Sequence, residues 1–243
     1  MDGVVTEAIA SDSAFYEIAG GNDQLATKLK KKVKKAFKKQ CIVQRIEQNE
    51  TGVTVTYSNA GLIQTITADR VICTLPFPVL KDIEITPALS PDKDQAIREL
   101  KLTPVTRTYQ QFRRRVWEQS RVSGYGITDL EIQNTYSPTL TQAGTHGILT
   151  AYTGGQRALD LAAMSESDRQ SFVLRKMGNV FSNLNGVYQS GLSQIWHEDE
   201  FARGAFAYFE PGQMATLLPI AQRAEGRIHF AGEHTSVWHG WMN

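Results

Sequence analysis

The sequence predicts an α/β chain of mixed, α+β character. Three observations predict it. Apolar residues recur every four positions in one lysine-rich segment, as on one side of a helix. Period-two alternation marks several short runs, as in strands. Helical and strand signals then interleave to the C-terminus with no internal repeat and no low-complexity segment. The 243 residues suit one large domain or two small ones, and an apolar content of 41% is ordinary for a globular protein, which excludes a disordered tail, a collagen-like fibre and a coiled coil. The longest apolar-rich runs, 71–80 and 217–220, fall well short of the roughly 20 residues that span a bilayer. Met1-Asp2 opens without the basic start and apolar core of a secretory signal. Cys41 and Cys73 make neither a disulfide framework nor a CxxC pair, so a reducing, cytoplasmic setting is expected.

In chain order, Gly20-Gly21-Asn22 predicts a turn into a helix that runs to about residue 40, with Asn22 as a possible N-cap. Leu25, Leu29, Val33 and Phe37 form its apolar stripe and should face a core. Eight lysines between Lys28 and Lys39 fill the other side, which leaves the rest of the chain net acidic by about seven. A solvated face explains them. A phosphate-binding or anionic-membrane patch is the alternative, but the one aromatic residue among the lysines, Phe37, belongs to the apolar stripe, so their face lacks the interleaved aromatics a nucleic-acid surface would need.

Alternation predicts strands over 41–47, 53–57 and 62–67, the last two joined by Asn59-Ala60-Gly61 as a hairpin. Residues 71–75 form a continuous apolar run, the pattern of a buried strand closing a meander over 41–76. Pro76-Phe77-Pro78 opens a new regime. Ser90-Pro91-Asp92 predicts an N-cap with proline at the first helical position, and a helix to about residue 100. Further strands are predicted over 103–112, 132–136, 147–152, 192–197 and 227–230, and helices over 157–164, 167–181 and 213–223.

The common phosphate and nucleophile signatures are absent: GxGxxG, GxxxxGK[ST] and GxSxG do not occur. His229, His234 and His239 recur every five residues, which on a helix spreads them by about 140° per step and on a strand alternates their faces, a poor zinc set. The informative stretch is RIHFAGEHTSVWHGWMN at 227–243. A short apolar strand runs into Ala231-Gly232, where backbone can approach a ligand closely. Glu233 follows at once, and Gly240 then sits between His239 and Trp241.

That segment resembles the last flavin-binding segment of the flavin-containing amine oxidase family, which includes monoamine, polyamine and L-amino-acid oxidases. The family pattern is a strand, then FAGE or a close variant, then HGW or SGY. The resemblance extends upstream in the family's order over nearly the whole chain. Gly20-Gly21 with its helix and VQRI at 43–46 resemble the middle flavin segment. VICTLP at 71–76 is similar to VI-x-A-x-P, and ITPALSP at 85–91 to I-x-F-x-P-x-LP. Phe112 to Trp117 resembles F…FW, and Trp196, FARGAF at 201–206 and Pro211-Gly212 resemble W…G-[AC]-[YF]…PG.

The resemblance implies roles. Val43 would meet the adenine through its backbone, and Glu233 would bond the ribityl or pyrophosphate part of FAD. Gly232 would let backbone close on the cofactor. Backbone N–H groups around Gly240, Trp241 and Met242 would face the flavin pyrimidine edge, where charge develops on reduction. Phe206 and Trp241 would be two rings before the flavin that align an amine, and an apolar cage favours the neutral amine. Without the resemblance they would simply be core aromatics. Trp196 would pack near the flavin or serve structure alone. Arg107 stands where most members have a lysine that holds a water at flavin N5; arginine keeps the charge but cannot act as a base. Ala205 replaces the cysteine that tethers FAD in some members, so the FAD would be non-covalent. The implied chemistry is hydride transfer from the substrate Cα to flavin N5, imine hydrolysis, and reoxidation by O2 to hydrogen peroxide. The substrate would be an amine or L-amino acid, with FAGE and HGW leaning to amino acids. Arg113, Arg114 and Arg115 are candidates for a substrate carboxylate by charge alone.

The family is about twice this long. Its N-terminal GxGxxG unit and the helix after residue 242 have no counterpart here, so a fragment is expected, with FAD bound weakly or not at all and no turnover alone. A separate N-terminal dinucleotide-binding chain would be its partner. The expected division is 1–78 flavin domain, 79–197 substrate domain and 198–243 flavin domain again. Two alternatives stay open. One is a flavin desaturase or protoporphyrinogen-oxidase-like enzyme, which the Phe206/Trp241 pair disfavours. The other is a catalytically silent module or half of a split flavoenzyme, for which an upstream reading frame encoding GxGxxG would discriminate.

Overall fold

A computed structural model describes residues 18, 20–33, 36–119, 122–139 and 142–241. In chain order its elements are α1 (Asp23–Val33), β1 (Cys41–Gln48), β2 (Val53–Asn59), β3 (Leu62–Ala68), β4 (Val71–Cys73), α2 (Phe77–Leu80), β5 (Glu84–Thr86), α3 (Pro91–Glu99), β6 (Lys101–Leu102) and β7 (Val105–Phe112). There follow α4 (Val116–Gln119), β8 (Gly126–Ile127), β9 (Asn134–Tyr136), β10 (Gly147–Gly154), α5 (Gln156–Ala162), α6 (Glu166–Met177), β11 (Tyr188–Ile195), β12 (Ala207–Tyr208), α7 (Gln213–Gln222) and β13 (Ile228–Phe230). The chain divides into two compact units, residues 21–103 with 198–243, and residues 104–197.

In the discontinuous unit, β1, β2 and β3 form the expected antiparallel meander. The two-residue loop Ala60-Gly61 sets the register at Asn59 opposite Leu62, and every later pair follows from it. The meander does not end in β4. That strand leaves to pair in parallel with β13, Val71 opposite Ile228, while β5 pairs in parallel with β1. Nor is the 71–75 run uniformly buried: Cys73 is enclosed but Ile72 is exposed. The core gathers Ile46, Val53, Phe77, Leu80, Ile97, Leu100, Ala207, Ala221 and Ile228. Residues 79–103, expected in the second domain, therefore pack here, because α2 and α3 turn Leu80, Ile97 and Leu100 into this cluster.

The start of α3 is tied to the end of α7. Ser90 precedes α3 as expected, but its hydroxyl does not cap the helix; it donates to Glu225 Oε1 at 2.8 Å, and its amide donates to Glu225 Oε2 at 3.0 Å. Lys93 is fully buried and donates from Nζ to the carbonyls of Ala221 and Arg223 at 3.0 and 2.6 Å, at the C-terminal end of α7, where a cation suits the helix dipole.

The lysine helix departs from expectation. α1 ends at Val33 and none of its side chains is buried; Leu25, Leu29, Val33 and Phe37 are all about half exposed. The stripe has the period of a packed helix, yet nothing among the described residues covers it.

The second unit is one five-stranded antiparallel sheet, ordered β11-β7-β10-β9-β8. Alternation along β7 buries Thr106, Thr108, Gln110 and Phe112 on one face. There the Thr106 hydroxyl donates to the Ala158 carbonyl of α5 at 2.9 Å, and the Gln110 amide to the Gln170 carbonyl of α6 at 2.8 Å. Phe112, Trp117, Leu149, Leu161, Val173 and Met177 form the core between sheet and helices. The last strand of this unit starts earlier than predicted, at Tyr188 rather than 192, because Tyr188, Ser190 and Gly191 already pair with β7, while Gln189 sits at a register shift and accepts from the Gln111 side-chain amide at 3.3 Å.

Candidate functional site

Residues 231–241 are held as a compact loop at the end of β13. The Ala231 amide continues the parallel pairing by donating to the Cys73 carbonyl at 3.0 Å. Gly232 then turns the chain at φ 121°, and a Cβ there would lie 2.8 Å from the His234 ring, so only glycine fits. A short 3-10 turn, Glu233–Thr235, follows. Its carboxylate organises the loop: Glu233 Oε1 accepts the Ala207 amide at 2.9 Å and Oε2 accepts the Gly240 amide at 2.7 Å.

Phe206 is set by a second close approach. Gly204, at φ 152°, passes so near Leu102 that a Cβ would sit 2.3 Å from the Leu102 Cβ. The Ala205 amide then donates to the Thr103 carbonyl at 3.0 Å, and the Thr103 amide to the Phe206 carbonyl at 2.7 Å. With Ala207 held by Glu233, the Phe206 ring comes within 3.6 Å of where a Gly240 side chain would begin. His239 stacks edge-on against Phe209, centroids 5.2 Å apart. His234 is buried against Phe77, its Nε2 without a partner; burial holds its pKa below the ordinary imidazole value, Glu233 opposing and Lys93 adding to the effect. On the other side of Glu233 the loop presents Val237, Trp238 and Trp241 to the outside, each more than 60% exposed.

The structure thus brings Phe206, Gly232, Glu233 and Gly240 together, with Trp241 next in the chain. Both oxygens of Glu233 accept backbone amides, one of them the Gly240 N–H. Met242 lies outside the described residues. Val43 is in the same unit but elsewhere, beside a β-bulge where the register shifts between Val43 and Arg45, and it lines a cavity of about 180 Å³ with Leu75 and Phe201. Trp196 and Arg107 belong to the sheet unit. The Trp196 amide donates to the Val105 carbonyl at 2.9 Å, extending the β11–β7 pairing by one residue.

Arg107 has surroundings that the sequence did not disclose. It lies on β7 opposite Tyr152 of β10 and Gln194 of β11. Its guanidinium carbon is 5.0 Å from the Tyr152 ring centroid and 5.5 Å from that of Tyr136. That Arg107 lies on a strand was legible over 103–112; its cross-strand neighbours were not. Arg115 is engaged elsewhere, donating to the carbonyls of His146 and Gln142 at 2.9 and 2.6 Å.

The loop fits a flat, partly apolar cofactor better than a metal. The exposed indole rings of Trp238 and Trp241 flank His239-Gly240, whereas no group of three metal-ligating side chains occurs among the described residues. No helix among them is long and apolar enough to cross a membrane.

Comparison with known proteins agrees. The sequence model of flavin containing amine oxidoreductases matches residues 6–243. A putative L-amino-acid oxidase of Bacillus subtilis is 34% identical over 98% of this chain and 52% of its own length. A flavin-dependent L-tryptophan oxidase of Lentzea aerocolonigenes is 31% identical over 94% of the chain and 50% of its own. The chain spans about half the length of these curated relatives. Among solved structures, putrescine oxidase bound to putrescine superposes with a TM-score of 0.81 at 22% identity, covering 89% of this chain and 48% of its own. Cyclohexylamine oxidase from Brevibacterium oxydans gives 0.80 at 20% identity, with 90% and 48% covered. The likeness extends over the mixed α/β fold of both units, and with the family match it shows that this chain belongs to the flavin-containing amine oxidoreductases.

Proposed function

We propose that this chain is the portion of an FAD-dependent oxidase that carries out oxidative deamination of an amine or L-amino acid. The observation that carries this reading is the two-amide grip of Glu233, which fixes Phe206 and Gly240 beside one another and presents Trp241. Bound non-covalently, FAD would accept a hydride, and with it two electrons, from the substrate Cα, with O2 as the final oxidant. The chain's own residues would bind and orient. Phe206 and Trp241 would present aromatic faces to the substrate amine, and their apolar surroundings favour its neutral, hydride-donating form. Glu233 would hold the loop through its two amides, and each of its oxygens keeps a lone pair for the ribityl or pyrophosphate part of FAD. Gly232 gives backbone access, Val43 offers backbone at the bulge, and Trp196 closes the end of β11.

Residues 21–103 with 198–243 would form the flavin unit and 104–197 the substrate unit. Alone, the chain would hold FAD weakly and would not turn over. A complementary segment or separate chain carrying a dinucleotide-binding unit would complete it; the exposed Leu25, Leu29 and Val33 of α1 suit such a contact. Two unpaired cysteines suit a reducing, cytoplasmic setting.

The test is the visible spectrum of the purified chain before and after incubation with FAD and gel filtration, repeated with the complementary portion of a full-length relative. The reading expects little retained flavin alone, and retained flavin with peroxide release from amino acids or amines in the complex. A complex that holds no flavin overturns it.

A further inference from the structure

The lysine run has no part in the oxidase reading. Eight lysines lie between Lys28 and Lys39, with no arginine and no acidic residue among them. The six described ones, Lys28, Lys30, Lys31, Lys32, Lys38 and Lys39, are all exposed. Among the described residues none of the six pairs with a carboxylate, although Lys101 and Lys176 elsewhere pair with Glu210 and Glu131 at 2.6 and 2.8 Å. A merely solvated helix face mixes its signs, because opposite charges one turn apart support a helix and like charges weaken it. Here the charges are gathered instead. The Lys39 ammonium stands beside that of Lys30 and holds the Lys30 pKa below its ordinary value.

The run is not a loose tail. Lys38 Nζ donates to the Tyr57 hydroxyl of β2 at 2.6 Å, and the Asn59 side-chain amide donates to the Lys39 carbonyl at 3.0 Å. Leu25, Leu29 and Val33 take one side of α1, and the lysines take most of the remaining circumference. A segment that covers the apolar stripe therefore leaves the lysines facing outward.

The composition of this face selects its partner. Arginine grips a single phosphate as a fork, and exposed rings stack on bases; the lysine face offers no arginine, and Phe37, the ring nearest to it, has the Lys30 ammonium 5.7 Å over its centroid. A lysine is a compact charge on a long flexible stem, which adapts to a layer of mobile headgroups rather than to one fixed acceptor. About four to eight basic residues on an amphipathic helix form the pattern that anionic lipid surfaces attract.

We propose that the lysine face of α1 and of the segment that follows it docks the protein on a bilayer rich in anionic phospholipid. The contact is peripheral: ammonium groups meet headgroups, and no part of the chain crosses the bilayer. It is held by charge, so salt governs it. It does not rest on the oxidase reading, and either can fail alone.

The test mixes the full chain with sedimentable vesicles of phosphatidylcholine alone or of phosphatidylcholine with about one-third phosphatidylglycerol, and reads the bound fraction after centrifugation. Binding is expected to the anionic vesicles only. It should disappear as sodium chloride rises from about 0.1 to about 1 M, where the screening length falls from about 10 to about 3 Å. The triple variant Lys28→Gln, Lys31→Gln, Lys32→Gln should bind about a hundredfold more weakly, at roughly fivefold per lysine, with an unchanged urea unfolding curve because all three side chains are exposed. No binding to the anionic vesicles, equal binding to the neutral ones, binding that persists at high salt, or full binding by the triple variant overturns the proposal. Release by inorganic phosphate at the same phosphate concentration overturns it in favour of a small-anion site. Tighter binding to duplex DNA than to the anionic vesicles overturns it in favour of a nucleic-acid surface.

Discussion

Glu233 and Gly240 are joined side chain to backbone, the carboxylate accepting the glycine amide at 2.7 Å across seven residues of loop. The same carboxylate holds the Ala207 amide at 2.9 Å, so one side chain sets the path of both segments that carry aromatic rings. Glu233→Gln keeps one acceptor oxygen but turns an amide group against a backbone N–H. It should cost about 1–3 kcal/mol in urea unfolding. It should also lower flavin uptake in the completed protein. Unchanged stability and uptake would show that the loop is held by its other contacts.

Gly204→Ala tests the close approach that sets Phe206. The added methyl would meet the Leu102 Cβ at 2.3 Å in a backbone conformation that L side chains rarely adopt. A loss of about 2 kcal/mol or more is expected in chemical unfolding. A loss below about 0.5 kcal/mol would mean that residues 204–206 can shift freely, and that Phe206 is not fixed by this contact.

Lys93 should make stability depend on pH in an alkaline window. Burial pushes its pKa down from 10.5 to about 8. Between those values the unfolded chain binds a proton that the folded chain has released. Stability therefore rises with pH through the window, and the penalty for burying the charge is fully present below it. Unfolding curves of the unmodified chain and of Lys93→Met at pH 7, 8, 9 and 10 should show a difference that grows with pH in favour of the unmodified chain. A constant difference would place the Lys93 pKa outside the window.

Leu29→Lys should change the stability of this chain by less than about 0.5 kcal/mol, because the Leu29 side chain is 55% exposed and α1 buries no side chain. In the completed protein the same substitution should weaken association with the complementary portion. A large loss in the isolated chain would mean that the stripe is packed after all.

These residues also show how far sequence carries. Period-two alternation located β1, β2, β3 and β7 closely because the pattern is local; β1, β2 and β7 turn a face towards a core, whereas β3 is exposed along its whole length and pairs with β2 across the Ala60-Gly61 turn. The Ser90-Pro91 start of α3 was legible for the same reason, though what the Ser90 hydroxyl does was not; its acceptor, Glu225, is 135 residues away. The α1 stripe misled, since a four-residue period reports that a face wants cover but not where the cover is. Of the candidate site, Phe206, Gly232, Glu233, Gly240 and Trp241 were chosen from short motifs. The direction of Glu233 towards two amides, and the tyrosines around Arg107, were not.

The sequence by itself determined the mixed α/β class, the order of most elements, the Ala60-Gly61 hairpin turn and the family, because propensity, period and motif are properties of neighbouring residues. Only the tertiary structure decided that β4 pairs with β13 rather than with the meander, that residues 79–103 pack with the discontinuous unit, that Glu233 grips the loop, and that the Arg107 Nε is buried without a hydrogen-bond partner among the described residues. Each of those depends on which distant segments meet, and that is settled by burial of the whole chain rather than by any local pattern.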